Sequence, residues 1–352
     1  MPHCCQNCGG IFDYTSHFIY DAASIEPGLP GIWRYRQTFG FSQDLELLSL
    51  GEGDTPLIWG PAFGRQVAFK CEFLNPTGSF KDRGSATLVA FLRSRRVTVA
   101  VEDSSGNAGA SFAAYAAKAG IQARVFVPDS TSGPKREQIE MYGADLVAVP
   151  GPRSTATDAL LRVLNAPGNE AAYASHAYLP FNLAGYATLA YELVAQLGCA
   201  PGCVLLPTGQ GGLLLGVSRG FQALTSAGVI SHIPSIFGIQ ARACAPLWAL
   251  VTYGAAGLGW VTEAPTLAEG IRVRIPVRGD AVLEAVAASG GDFLAVDEDE
   301  ILPGRDALAR LGLYVEPTSA VVWSALAQIS QHLPEPVVVV LTGSGFKYVD
   351  SR

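Results

Sequence analysis

The sequence predicts an α/β fold in which parallel sheets are flanked by helices. Short β-rich runs recur along the chain, each closing on Gly, Pro, Ser or Asp, and Ala-rich stretches of helical length lie between them. Size adds a third observation: 352 residues with 49% hydrophobic content suffice for two domains with their own cores.

Taken in order, the first fifty or so residues are aromatic and turn-rich and read as an N-terminal extension. VTVAVEDS (97–104) is the first buried strand, and AGASFAAYAAKAG (108–120) follows as a helix, because alanine costs least to order in one. QARVFVPD (122–129) and LVAVPG (146–151) read as further strands, and YATLAYELVAQLG (186–198) as another helix. GCVLLPTG (202–209) and PVVVVLTG (336–343) complete the strands, both continuously apolar as a strand covered on two faces must be. The chain has no internal repeat or low-complexity linker.

Composition excludes several classes of function. The 24 Lys and Arg against 31 Asp and Glu give a net charge of -7 with no basic block, so nucleic acid is not an expected partner. Apolar runs such as VVVVL (337–341) are too short to span a bilayer, and no basic segment followed by an apolar stretch opens the chain; a cytoplasmic protein without membrane partners is expected. Seven cysteines do not pair evenly and read as thiols.

Ligands of such sheets sit beyond the carboxyl ends of strands, where loops meet helix N-termini. TGQGGLLLG (208–216) follows a strand there, and its glycines let the backbone approach an anion. It is not the dinucleotide fingerprint, because Leu214 stands where the third glycine belongs; alone, a tight packing turn explains it equally well. EDSSGNAGA (102–110) also follows a strand, and Ser104, Ser105 and Asn107 offer more donors toward a carboxylate than an N-cap requires. LTGSGFK (341–347) sets Thr342 and Ser344 at a third strand end, where one hydroxyl can meet a ring nitrogen. In NPTGSFKDRG (75–84), Lys81 taken singly is a solvated residue paired with Asp82. With the three loops, however, it completes the set that pyridoxal phosphate needs: an amine for the cofactor aldehyde, a phosphate cradle, a carboxylate receptor and a hydroxyl for the ring. A ligand-binding protein without catalysis is disfavoured by the retention of Lys81 beside these loops. Two patterns are decoys. GVSRG (216–220) matches a hydrolase elbow but belongs to the helix leaving the cradle, and Ser132-Gly-Pro-Lys135 lacks its partner motifs.

On these residues the sequence resembles the fold-type II pyridoxal-phosphate-dependent enzymes of the tryptophan synthase β-like superfamily, and within them the threonine synthase family. SLGEGDTPL (49–57), NPTGSFKDRG, SSGNAG, PTGQGG, EPTSA (316–320) and LTGSGFK occur in that family's order, over nearly all of residues 32–347. The resemblance implies that Lys81 carries the cofactor and later acts as the base at Cα, with Phe80 packed nearby. It implies that Asn107 holds the ring hydroxyl, that Gly209, Gln210, Gly211, Gly212 and Leu213 bind the phosphate, and that Thr342, or else Ser344, faces the pyridine nitrogen. Ser104, Ser105 and Ala108 are implied receptors of the substrate carboxylate. The implied activity is that of a lyase on a small L-amino acid: threonine formation from O-phosphohomoserine, or alternatively deamination of serine or threonine or another β-elimination or replacement. Also implied are a homodimer, a large cofactor domain (51–83 and 185–352) and an inserted small domain (84–184), with 1–50 as the extension.

One stretch departs from the family. Where it has Asn-Pro-x-Arg-x-x-Gly-Gln-Lys-Thr reaching the substrate phosphate, this chain reads LPFNLAGYAT (179–188), with Asn182 in the arginine position. A neutral amide cannot replace a bidentate guanidinium clamp. Ser175, Asn182 and Thr188 remain as candidate substrate contacts, with Lys135 or Arg153 as compensating cations, and a neutral substrate carries nearly equal weight. At the N-terminus, Cys5-x-x-Cys8-Gly is half of a zinc knuckle that Cys4, His3 or His17 could complete; ordinary thiols are the alternative, because no second C-x-x-C follows.

Overall fold

The computed structural model describes residues 3–41, 46–104, 106–129, 133–151 and 153–349. In chain order the elements are β1 (Leu57–Ala62), β2 (Arg65–Lys70), α1 (Lys81–Ser94), β3 (Val99–Glu102), α2 (Asn107–Ala119), β4 (Gln122–Pro128), α3 (Pro134–Met141), β5 (Asp145–Val149), α4 (Arg153–Leu164) and β6 (Ala172–Tyr173). There follow α5 (Phe181–Leu197), β7 (Cys203–Pro207), α6 (Gly212–Ser226), β8 (Ser235–Ala241), α7 (Pro246–Tyr253), α8 (Gly279–Ala288), β9 (Phe293–Val296), α9 (Glu298–Arg310), α10 (Pro317–Ile329) and β10 (Val337–Val340).

Two sheets result. The larger has the order β1-β2-β10-β7-β8-β9 and is parallel apart from the β1–β2 hairpin; the smaller, β5-β4-β3-β6, is wholly parallel. The fold is therefore α/β, with the second sheet's strands lying in sequence between β2 and β7 of the first. All five strands expected from the sequence are present. β7 and β10, whose residues are all buried, occupy the middle of the larger sheet. The hairpin was not legible because LIWGPA carries Gly and Pro, which disfavour a central strand; as an edge strand β1 tolerates them. Phe63 and Gly64, both at positive φ, close its two-residue turn.

α5 packs against both α1 and α6. These contacts are made backbone to backbone: a Cβ on Gly185 would lie 1.9 Å from the Arg83 carbonyl oxygen, and one on Gly220 would lie 2.4 Å from that of Ala187. The residues GVSRG sit inside α6, so no nucleophile elbow forms. Part of the N-terminal region packs into the core. Ile32 and Trp33 are buried, and the Trp33 indole donates to Leu48 O and to Glu52 Oε1 at 3.0 and 2.8 Å. All seven cysteines are thiols. No helix among the described residues is long and apolar enough to cross a membrane.

Beneath α1 lies a buried ion network. Arg83 donates two hydrogen bonds to Glu72 (2.7 and 2.8 Å) and two to Glu192 (2.8 and 2.7 Å), while Lys70 donates to Glu192 at 2.8 Å. Burial pushes both carboxyls up, but Arg83, with Lys70, holds each below its usual range. Glu192→Gln leaves two buried cations facing one carboxylate and is expected to destabilise the protein by about 3–5 kcal/mol in denaturant unfolding. Because the folded-state values are depressed, this stabilisation is full above the unfolded carboxylate value of about 4.3 and is lost as pH falls below it. The acid limb of the stability profile should accordingly be shallower in Glu192→Gln.

Candidate active site

The carboxyl ends of β2, β7 and β10 open onto one cleft. The turn after β2 is stitched to the end of β10: Phe80 N donates to Thr342 O at 3.0 Å, Ser344 N donates to Gly78 O at 2.9 Å, and Ser79 bridges Gly343. Lys81 is thereby fixed as the first residue of α1. Its Nζ lies 4.7 Å from the centre of the Phe80 ring, which in turn packs 5.3 Å from that of Tyr186. Asp82 is fully buried and accepts hydrogen bonds from Thr77 N, Thr77 Oγ1 and Ser111 Oγ at 2.7, 2.6 and 2.6 Å, so the picture of a solvated surface pair does not hold.

Opposite, the loop between β7 and α6 forms a bare helix N-terminus. Gly211 adopts φ 79°, where a Cβ would also meet Val282 at 2.3 Å, so only glycine fits. Gly212 opens the helix without a capping side chain, and a Cβ there would meet nothing closer than the Tyr186 ring at 3.7 Å and Asn182 Nδ2 at 3.9 Å. A helix N-terminus with no side-chain cap suits an anion. The Gln210 side chain turns away, accepting from Val277 N at 2.9 Å, and Leu213 packs into the core, so both present only backbone. Gly209 rests against Ile271.

A third group spans the cleft. Asn107, first in α2, donates through Nδ2 to Glu316 Oε1 at 2.6 Å, and Lys135 Nζ stands 2.7 Å from Glu316 Oε2. The Asn107 Oδ1 is buried with no hydrogen-bond partner, an acceptor awaiting a donor. Gly343 lies against this pair, since a Cβ on it would come within 3.0 Å of Asn107 Nδ2. The Thr342 hydroxyl pairs with Ser319 Oγ at 3.0 Å, whereas Ser344 Oγ accepts from Phe346 N at 3.3 Å and caps the next turn. Ser104 Oγ accepts from Gly106 N at 3.3 Å, Ala108 is buried, and Ser105 lies outside the described residues.

The departing stretch is engaged in internal bonds. Asn182 Nδ2 donates to His176 O at 2.8 Å, and Ser175 Oγ accepts from Ala177 N and Tyr178 N, each at 3.3 Å. Thr188 is turned beneath α1, where it accepts from Arg83 at 2.9 Å and donates to Gly185 O at 2.6 Å. The Arg153 side chain is outside the described residues. Sequence reading missed His176, Ser85 and Glu316. Glu316 stood inside a noticed motif, whereas His176 and Ser85 meet only through the fold, 91 residues apart.

At the N-terminus, Cys5 to Gly10 form a tight knuckle. Cys5 N donates to Gly10 O at 2.7 Å and Gly9 N to Cys5 O at 2.8 Å, and the N–H groups of Cys8 and Asn7 lower the Cys5 thiol from its usual value. His3 packs edge-on against Tyr173 and Tyr178, and His17 is exposed. No group of three or more His, Cys, Asp or Glu among the described residues is arranged to hold a metal ion.

A phosphorylated pyridine aldehyde fits this cleft. The bare N-terminus at Gly212 suits the phosphate, the unpartnered Asn107 Oδ1 suits a ring hydroxyl, and Lys81 supplies the amine. Comparison with known proteins agrees. Residues 48–343 match the family described as pyridoxal-phosphate dependent enzyme. The chain is 32% identical to a threonine synthase of Methanocaldococcus jannaschii over 98% of this chain and 88% of that protein. It is 33% identical to a threonine synthase of Mycobacterium leprae over 92% and 90%. Among solved structures it is similar to a T.th. threonine deaminase, with a TM-score of 0.69 and 26% identity, over 84% of this chain and 94% of that one.

Gly211→Ala places a side chain in the left-handed region and against Val282. It is expected to weaken cofactor binding at least about tenfold, roughly 1.4 kcal/mol, in an absorbance titration of the cofactor-free protein.

Proposed function

The chain belongs to the pyridoxal-phosphate-dependent enzymes of fold type II, and from that premise we propose that this lyase converts O-phosphohomoserine and water to threonine and phosphate. The observation that carries the reading is a lysine, an anion cradle and an unpartnered amide oxygen on one cleft, in a chain about one-third identical to threonine synthases over nearly its whole length.

When bound, the cofactor withdraws electrons from the substrate Cα and so acidifies its proton. Lys81 would hold the cofactor through its amine and would be the base for the substrate's Cα proton. Backbone N–H groups of Gly209 to Leu213 would hold the phosphate at the N-terminus of α6, and Asn107 Oδ1 would accept from the ring hydroxyl. Thr342, with Ser344 as the second candidate, would offer the ring nitrogen a hydroxyl; a neutral partner would leave that nitrogen largely unprotonated and favour elimination over transamination. Ser104, Ser105 and Ala108, at the start of α2, receive the substrate carboxylate, and Phe80 packs beside the cofactor. The proposal includes a small domain of residues 84–184 that closes on the large one, a cytoplasmic homodimer, and N-terminal cysteines that act as plain thiols.

One observation favours a second reading, deamination of serine or threonine. The Asn182 amide is committed to His176 O and the Thr188 hydroxyl to Gly185 O, so neither is a ready partner for a substrate phosphate. Lys135 is a cation at the cleft paired with Glu316, and in the first reading it exchanges Glu316 for that phosphate.

Visible absorption of the cofactor-loaded protein, with phosphate and ammonia assayed after each addition of O-phosphohomoserine, serine and threonine, separates the two. Spectral change with release of phosphate and threonine is expected; ammonia from serine or threonine, without response to the phosphate ester, would establish the second reading. Lys135→Gln is expected to lower kcat/KM for the phosphate ester by about 10- to 100-fold, as loss of a charge-assisted contact should.

A further inference from the structure

Glu316, which caps the start of α10, and Ser319, three positions later and on the same face, are both buried. Each is bonded to one of the two side chains proposed above for the polar atoms of the cofactor ring. Glu316 Oε1 accepts from Asn107 Nδ2 at 2.6 Å, and Ser319 Oγ lies 3.0 Å from Thr342 Oγ1. Gly343 joins the two pairs: its N–H donates to Ser319 Oγ at 3.1 Å, and a Cβ on it would come within 3.0 Å of Asn107 Nδ2.

The direction of both bonds follows from the donors and acceptors present. A carboxylate only accepts, and that of Glu316 is also held by Lys135 Nζ at 2.7 Å, so the Asn107 amide must turn its NH2 group toward it. Asn107 Oδ1, buried and without a hydrogen-bond partner, is left as an acceptor. Ser319 Oγ accepts from the backbone N–H groups of both Thr342 and Gly343, which takes up its two lone pairs. Its own proton must therefore go to Thr342 Oγ1, and the Thr342 proton is left to be given to a ligand. Glu316 thus makes Asn107 an acceptor, and Ser319 makes Thr342 a donor.

We infer that Glu316 and Ser319 are positioning residues that select the uncharged form of the cofactor ring, with the proton on its hydroxyl rather than on its pyridine nitrogen. A hydroxypyridine in water exchanges this form with a zwitterion, whose oxygen is ionised and whose nitrogen is protonated. Both forms carry the same number of protons: one O–H bond replaces one N–H bond, and no charge enters or leaves. An acceptor at the oxygen requires the O–H, and a donor at the nitrogen requires its free lone pair, so the two contacts favour the same form. The zwitterion would set an ionised oxygen against the lone pairs of Asn107 Oδ1 in a buried place, which is costly. This inference rests on the proposed placement of the ring between Asn107 and Thr342. It goes beyond that placement in giving roles to two residues that act through others.

Pyridoxine phosphate is the probe, because it keeps the ring, hydroxyl and phosphate but has an alcohol in place of the aldehyde and cannot join Lys81. Its zwitterion absorbs at longer wavelength than its uncharged form. Added to the cofactor-free protein at neutral pH, it is expected to lose most of the long-wavelength band on binding. In Glu316→Gln, Lys135 draws the glutamine carbonyl, the glutamine NH2 group meets Asn107, and the Asn107 amide turns over to offer the ring oxygen an N–H; the zwitterion band should return. Ser319→Ala frees the Thr342 hydroxyl to accept from the ring nitrogen, and the band should return there also. Glu316→Asp and Ser319→Thr keep an acceptor and a hydroxyl and should keep the parent's spectrum. Affinity for the probe should weaken by no more than about tenfold in each variant, the worth of one hydrogen bond. A zwitterion band in the bound parent, the sign that the second Nδ2 proton of Asn107 meets the ring oxygen, would overturn the inference. So would an unchanged spectrum in both Glu316→Gln and Ser319→Ala with the probe bound. Failure of the parent to bind the probe would overturn the cofactor placement, and this inference with it. A failed amino-acid assay leaves the spectral result standing, because the probe supports no turnover.

Discussion

Arg83, clamped between two carboxylates, is the constraint from which the proposed catalytic end of the molecule hangs. Glu72 belongs to the turn after β2 and Glu192 to α5, so one guanidinium fixes α1 to both. Successive helical residues are about 100° apart, so Lys81, two positions earlier, points to the opposite side when Arg83 points inward. An ion cluster of this kind adds little net stability over a well-packed apolar one, but removal of a single member is costly. Its consequence is geometric: the lysine that opens α1 is aimed into the cleft because the arginine cannot turn.

The glycine contacts between α1, α5 and α6 serve the same end. They bring the first residues of the outer helices, Lys81 and Gly212, to one rim, and α2 and α10 begin there with Asn107 and Pro317. A ring of helix N-termini concentrates partial positive charge and free N–H groups where a phosphate and a carboxylate would be held. The sheet contributes the remaining order, because β10 is paired on both sides and its exit, Thr342 to Ser344, is bonded to the lysine turn.

How much of this was legible in the sequence follows from where each signal resides. Strands such as VVVV and the glycine loops at their ends are local patterns, and the placement of Lys81, Asn107 and Gly211 to Gly212 at strand ends could be read from them. Edge elements such as β1 were not, because their tolerance of Gly and Pro depends on position in a sheet that sequence does not display. In the N-terminal region, Trp33 is buried through contacts that only the fold assembles, with Phe39, Leu48 and Glu52 among them. Thr188 looked like a substrate contact by its place in a motif, yet the helical phase of α5 turns it toward Arg83. His176 and Ser85 carried no signal, since neither has meaning until α1 and the segment before α5 come together.

The electrostatics around Glu316 bear on how the cleft would choose its substrate. This carboxylate is 2% exposed, pairs with Lys135 and accepts from Asn107, and it also feels the charge of the buried Lys347. A neutral amino acid can enter without disturbing that arrangement. A phosphorylated one brings a dianion that competes for Lys135, and the Glu316 carboxylate, deprived of its cation, must then be stabilised by Asn107 and whatever donors accompany the ligand. The chain that exchanged an arginine for Asn182 thus makes phosphate recognition depend on breaking an existing ion pair. Phosphate binding and rearrangement of the Asn107 contact are coupled through the same carboxylate, so the group proposed to hold the ring hydroxyl also senses what occupies the leaving-group end.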